Sequence, residues 1–136
     1  MKPSVASLLL AGMLPGAFIG AFIGTLTPGP AHAGDAAKGK VVFNKCKACH
    51  DIRPGKNRVG PSLHGVFGRK AGTAPKYSYL GLKGADFVWD EPLLMEYLQD
   101  PKAFVKKRGQ SRTKMIFKLP DKRQREDVIA YLKTLK

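Results

Sequence analysis

Cys46-Lys47-Ala48-Cys49-His50 sets two thiols three residues apart and follows them at once with an imidazole. This is the C-x-x-C-H spacing of c-type haem attachment. The thiolates add to vinyl groups on neighbouring edges of a porphyrin, one helical turn apart, and the next side chain lies beneath the iron as its proximal ligand. Two other chemistries use paired thiols. A thioredoxin-like dithiol wants a βαβ context, which this chain lacks, and zinc wants two further Cys or His ligands at finger spacing. The chain has only two cysteines, both within the motif. The expectation is one haem c, bound covalently through Cys46 and Cys49, with His50 on the metal.

Upstream, residues 1–33 read as a secretory signal peptide. Lys2 is their only charge, an apolar run follows from Val5 to Leu26, and Ala31-His32-Ala33 fits the small-x-small cleavage rule. The competing reading is a retained anchor, because Gly12, Gly16, Gly20 and Gly24 recur at the spacing of packed membrane helices. Pro15 in mid-run and Pro28-Gly29-Pro30 before the cleavage site favour removal. Export places the product in the periplasm, the compartment in which bacteria attach haem to such motifs.

The 136 residues allow one domain, over residues 34–136. That region keeps 23 basic and 10 acidic residues, a formal +13. A balance this basic raises the question of nucleic acid. No nucleic-acid-binding motif accompanies it, and an exported haem protein rarely meets any. The expected partners are acidic protein surfaces, with peripheral contact to anionic membrane.

The pattern along the chain is helical with long loops. Residues 35–45 read as a first helix capped by Asp35, with Gly39 marking a close approach. Residues 51–72 hold glycines at 55, 60, 65, 68 and 72 and no helical period, so they read as loop. A loop this long is reasonable around a haem, which supplies apolar surface. A short helix capped by Ser78 is expected over residues 77–82. Asp90-Glu91-Pro92 opens another helix, with Leu93, Leu94, Tyr97 and Leu98 facing the core and Pro101 as its end. Residues 102–118 read as a basic, irregular loop. A last helix starts near Pro120-Asp121 and runs to about Leu135. Val128, Ile129, Leu132 and Leu135 form its apolar stripe, with Arg123, Arg125, Glu126 and Lys133 in water. No strand of useful length is expected.

Several landmarks recur in a fixed order. They are Gly39 and Phe43, C-K-A-C-H, V-G-P-S-L-H-G-V-F-G-R-K-A-G over residues 59–72, Trp89-Asp90-Glu91, E-Y-L-Q-D-P from Glu96, T-K-M-I-F from Thr113, and E-D-V-I-A-Y-L-K from Glu126. The set resembles the class I cytochromes c, especially the soluble bacterial c2 type and the mitochondrial carrier, over nearly all of residues 34–136. The resemblance implies an all-α fold in which crossing N- and C-terminal helices, wrapped with loops, enclose one haem.

It also implies roles for individual residues. Pro61 would offer its carbonyl to the His50 ring, fixing the imidazole and raising its basicity. Gly39 and Phe43 would pack on Tyr131. Arg69, Trp89 and a tyrosine, Tyr77 or Tyr79, would hold a haem propionate, and Tyr97 would be both core and haem wall. In the distal motif of Thr113 and Met115, the methionine would be the sixth ligand, a soft thioether that favours Fe(II). His64 would be held on the proximal side with Pro61, and Met95 lies among leucines, where packing is the default role of methionine. One departure stands out: residues 105–112 lengthen the approach to Thr113-Lys114-Met115 and lack the family's Pro-Gly, which puts the stiffness of the methionine arm in question.

The implied function is one-electron transfer, not enzymatic turnover, by a monomer in a respiratory, photosynthetic or methylotrophic chain. Its partners would be a bc-type complex, a terminal oxidase, a reaction centre or a dehydrogenase. The alternatives are a haem domain serving a peroxidase or dehydrogenase, and a gas-binding sensor. The first needs an open iron or a fused catalytic domain. Gas-binding cytochromes of the c-prime type carry the motif near the C-terminus.

Overall fold

The computed structural model describes residues 33–136. The signal segment, and with it the choice between cleavage and an anchor, lies outside the described residues apart from Ala33. Four helices and no strand make up the described chain: α1 (Ala36–Val42), α2 (Glu91–Gln99), α3 (Pro101–Lys107) and α4 (Lys122–Lys133). None of these helices is long and apolar enough to cross a membrane.

Asp35 opens α1 from an extended conformation, its carboxylate accepting from the N–H groups of Ala37 and Lys38 at 2.9 and 3.1 Å. The helix tightens into a 3-10 turn, Phe43–Lys45, which delivers the chain to the C-x-x-C-H motif. Asp121 caps α4 in the same way, through Gln124 N–H at 2.9 Å. α1 and α4 cross at Gly39, where a Cβ would run into the Asp127 carbonyl and come within 2.9 Å of Tyr131 Cβ. Phe43 and Tyr131 pack with ring centroids 5.3 Å apart. Across the same crossing, Asp127 Oδ1 accepts the Asp35 N–H at 2.8 Å. The two ends of the domain lock each other as the sequence implied.

α2 starts where expected. Asp90 accepts from Leu93 N–H at 2.9 Å and Pro92 sits in the first turn. Pro101 does end α2, yet it also starts α3, where an irregular loop was expected. Asp100, fully extended between the two, is the C-cap of one helix and the N-cap of the other, accepting from Ala103 N–H at 3.0 Å. Proline suits a first helical position because its missing N–H would go unbonded there anyway. Glu96 then grips the far end of α3 through Lys107 Nζ at 2.7 Å and Arg108 Nη2 at 3.2 Å. These two charges lower the Glu96 pKa, the hydrogen bond from Lys107 contributing most against a desolvation that opposes it.

The short helix expected over residues 77–82 does not form; residues 77–79 are irregular and the chain bends and turns only at 80–82. Just before residue 77, Lys76 adopts a positive φ of 57°, and Tyr77 and Tyr79 turn toward each other with ring centroids 4.8 Å apart. Residues two apart face the same way only in extended backbone; a helix would send them to opposite sides.

One isolated antiparallel bridge, Lys70 with Val88, ties two loop segments together. Its neighbours, Trp89 N–H to Arg69 carbonyl and Ala71 N–H to Phe87 carbonyl, both at 2.9 Å, set Arg69 beside Trp89. Trp89, Tyr97, Phe104 and Phe87 form an aromatic cluster with centroid separations of 5.0–5.8 Å. Val128, Ile129 and Leu132 meet it from α4. Arg125, expected in water, is buried instead. Its Nη1 donates to the carbonyls of Leu119 and Pro120, each at 2.7 Å.

Candidate haem site

The C-x-x-C-H motif leaves the 3-10 turn as one more helical turn, with N–H groups of Cys49 and His50 both reaching the Cys46 carbonyl, at 3.1 and 2.9 Å. That turn brings the two thiols onto the rim of a single large cavity, with His50 in its wall. Gly60 N–H donates to the Cys49 carbonyl at 2.7 Å, bringing the next loop over the imidazole. A Cβ at Gly60 would strike the His50 ring, so glycine is what lets this loop come so close. The Pro61 carbonyl then meets His50 Nδ1 at 2.7 Å. With that nitrogen engaged as the donor, Nε2 is left as the lone-pair side. Burial lowers the His50 pKa, partly opposed by the Pro61 hydrogen bond, so the ring is held neutral and ready to bind a metal.

Burial pushes the Cys46 thiol up to about 11, with the Cys49 thiol adding to the shift and Lys45 opposing it. In the closed fold Cys46 is therefore protonated and a poor nucleophile at neutral pH.

The cavity is lined mainly by apolar side chains, among them Leu63, Val66, Leu82, Trp89, Leu94 and Leu98. Val128 and Leu132 reach it from α4, and Met115 from the segment between α3 and α4. Pro61, Arg69, Tyr77, Trp89, Tyr97, Thr113 and Met115, each singled out from the sequence, all line this one cavity with Cys46, Cys49 and His50. His64 and Met95 do not. The sequence offered three candidates for a sixth ligand, and one of them reaches the cavity.

The polar groups of the wall are tied down individually. Arg69 donates to the His64 and Ser62 carbonyls at 3.0 and 3.1 Å. Desolvation lowers its pKa, and the Tyr79 hydroxyl nearby works the other way. Tyr79 accepts from Ala74 N–H at 3.2 Å, which leaves its own proton to donate. The Tyr77 hydroxyl is already spent on the Val59 carbonyl at 2.7 Å. Thr113 accepts the Met115 N–H at 3.2 Å and bonds the Tyr97 hydroxyl, whose pKa burial raises.

Two ties were not expected from sequence. Lys114 Nζ donates to the Ser78 carbonyl at 2.6 Å and lies 5.0 Å from the Tyr77 ring, pinning the methionine arm to the tyrosine loop. Asn57 donates to the Pro75 carbonyl at 2.8 Å and accepts Ser62 N–H at 3.0 Å, joining the loop over His50 to the loop carrying the tyrosines. The bonds onto the Ser78 and Pro75 carbonyls span 36 and 18 residues, which no local motif announces.

The donor set suits an iron porphyrin. Two thiols lie one turn apart, an imidazole has its second nitrogen engaged, and a thioether and a half-buried guanidinium share the same apolar wall. At the mouth Val59, Leu80, Ile116 and Phe117 stand exposed, Ile116 at 88%, with Lys45 and Lys114 beside them.

Comparison with known proteins agrees with this geometry. The Cytochrome c family model matches residues 36–136. A cytochrome c2 of Rhodopseudomonas palustris is 51% identical over 115 residues, covering 75% of this chain and 99% of that protein. Among solved structures, cytochrome c2 from Rhodospirillum centenum superposes with a TM-score of 0.71 at 44% identity, covering 76% of this chain and 99% of its own. Cytochrome cH from Methylobacterium extorquens gives 0.66 at 44% identity over 74% and 99% of the two chains.

Proposed function

Because the chain belongs to the cytochrome c family, we propose that it is a diffusible one-electron carrier of the c2 type with His50 and Met115 as axial ligands. A covalent c-type haem, held by thioethers from Cys46 and Cys49, supplies a reversible one-electron couple. The protein's own part is to hold, orient and exclude. Pro61 fixes the imidazole through Nδ1 and raises its basicity. Thr113 and Lys114 hold the methionine arm. Arg69, Trp89 and Tyr79 would receive a propionate. Tyr79 is preferred over Tyr77 because its hydroxyl proton is uncommitted. Tyr97 and the leucines close the wall against water.

The observation that carries this reading is that imidazole and thioether line one cavity with both thiols. With His50 and Met115 both bound to it, the iron would offer no open position to a substrate or a gas, which disfavours the peroxidase, dehydrogenase and sensor alternatives. Acid-acetone extraction of the purified protein should leave the colour on the polypeptide. Carbon monoxide and cyanide should bind slowly at neutral pH. Freely extracted pigment, or rapid binding of either ligand, would overturn the assignment.

Partners are proposed from charge: an acidic docking surface on a bc-type complex, terminal oxidase, reaction centre or dehydrogenase, met in the periplasm by the exposed apolar mouth and its basic surround. The basic residues of 105–112 do not all serve this. Lys107 and Arg108 are paired with Glu96, and the Arg108 guanidinium lies 3.5 Å from the Phe104 ring centre. Exposed ion pairs of this kind contribute only about 0–1 kcal/mol, but Arg108 also covers the aromatic cluster. Lys106 and Arg112 are exposed and outside these pairs. Reversing both to Glu should slow association with an acidic partner by about 10-fold at low salt and flatten its ionic-strength dependence. Stopped-flow electron transfer over a salt series reads this; an unchanged rate would mean these side chains are only solvated charge.

A further inference from the structure

Arg125 is a basic side chain that neither faces water nor pairs with a carboxylate among the described residues. It is 6% exposed, and its Nε has no hydrogen-bond partner. Burying a guanidinium is costly unless its donors find partners. The partners here are two successive backbone carbonyls, Leu119 and Pro120, both on Nη1.

These carbonyls belong to the segment that leads from Met115 into α4. Leu119 is held from its other side as well, since its N–H donates to the Leu98 carbonyl of α2 at 2.8 Å. Leu119 itself is 3% exposed. The methionine arm is thus fixed at its far end between α2 and α4, and the α4 half of that grip is one side chain. Arg125 also stands on the cavity-facing stripe of α4, three and seven residues before Val128 and Leu132, which line the cavity. A fixed planar donor on that stripe couples the register of α4 to the position of the arm.

We propose that Arg125 is a positioning residue for the distal ligand: by clamping Leu119 and Pro120 it sets how readily the Met115 sulfur leaves the iron. This rests on the proposed ligation by Met115, and a test has to separate the two. Exogenous imidazole competes with the sulfur for ferric iron, so its affinity reports how easily the arm opens.

Imidazole titrations of the ferric holoprotein would compare wild type with Arg125→Gln, Arg125→Lys, Met115→Ala and Leu135→Ala. Met115→Ala should bind imidazole far more tightly than wild type; if it does not, the ligand assignment fails. Given that result, Arg125→Gln should bind imidazole about 10-fold more tightly than wild type. Arg125→Lys, which keeps the charge and a donor nitrogen but loses the fixed planar fork, should fall between. Leu135→Ala, half-buried at the end of the apolar stripe and away from these carbonyls, controls for lost stability and should leave the affinity within twofold of wild type. If Arg125→Gln unfolds, Arg125→Lys carries the test alone. Wild-type affinity in the folded Arg125 variants, or an equal rise in Leu135→Ala, would reduce Arg125 to a packing residue.

Discussion

Gly39→Ala should destabilise the holoprotein, and Gly39→Val should do so by about 3 kcal/mol or more. Helix propensity alone gives the opposite sign for alanine, which is favoured over glycine by roughly 1 kcal/mol in a helix interior. The crossing reverses this, because a Cβ at Gly39 would occupy the place of the Asp127 carbonyl. Relief requires α1 to move off α4. That movement would break the Asp35–Asp127 hydrogen bond and the Phe43–Tyr131 contact together, which is why overpacking here should exceed the usual 1–3 kcal/mol range. Denaturant unfolding of the ferric protein reads both variants. A stabilised Gly39→Ala would show that the helices do not meet as described.

Met115→Ala should abolish the weak long-wavelength band of the ferric protein and lower the reduction potential by on the order of 100 mV or more, well within the ~0.8 V over which axial ligands tune haem. Removing the thioether withdraws a soft donor that favours Fe(II). Met95→Leu should leave both properties unchanged, since Met95 packs on the core without lining the cavity. The lengthened stretch before the arm raised the question of a looser ligand. Only its first three residues, 105–107, are taken up as α3, but the arm beyond is tied at Lys114 and Leu119. Band and potential together decide the assignment: a band surviving in Met115→Ala would remove methionine from the iron.

What the sequence made legible was local. The C-x-x-C-H spacing, the capping aspartates 35, 90 and 121, and the glycine at the helix crossing are each written in a few neighbouring residues. The site residues beyond the motif came from the family resemblance, and the structure brings them to one cavity with Cys46, Cys49 and His50. Features decided by competition or by distant partners were harder to see. Pro101 signals a stop and a start equally well, and Asp100 lets it be both. Tyr77 and Tyr79 read alike in sequence, whereas in the fold the Val59 carbonyl takes the Tyr77 hydroxyl proton and the Tyr79 hydroxyl accepts from Ala74 N–H. Arg125 looked solvated because it is charged, yet its spacing to Val128 and Leu132 put it on the buried stripe. That periodicity was a signal; the carbonyls that make burial tolerable were not visible in it.

The crossing of α1 on α4 also sets an order of events. Ninety-two positions separate Asp35 from Asp127, so the crossing closes only when two distant parts of the chain meet, a slow kind of contact to form. Seven residues are too few for α1 to hold a helix unaided. Until that contact forms, the thiols of residues 46 and 49 lie on an open stretch of chain, accessible to whatever machinery handles them. Docking of α4 on α1 is what ends that accessibility. The fold thereby carries a clock, wound by the distance between its two ends.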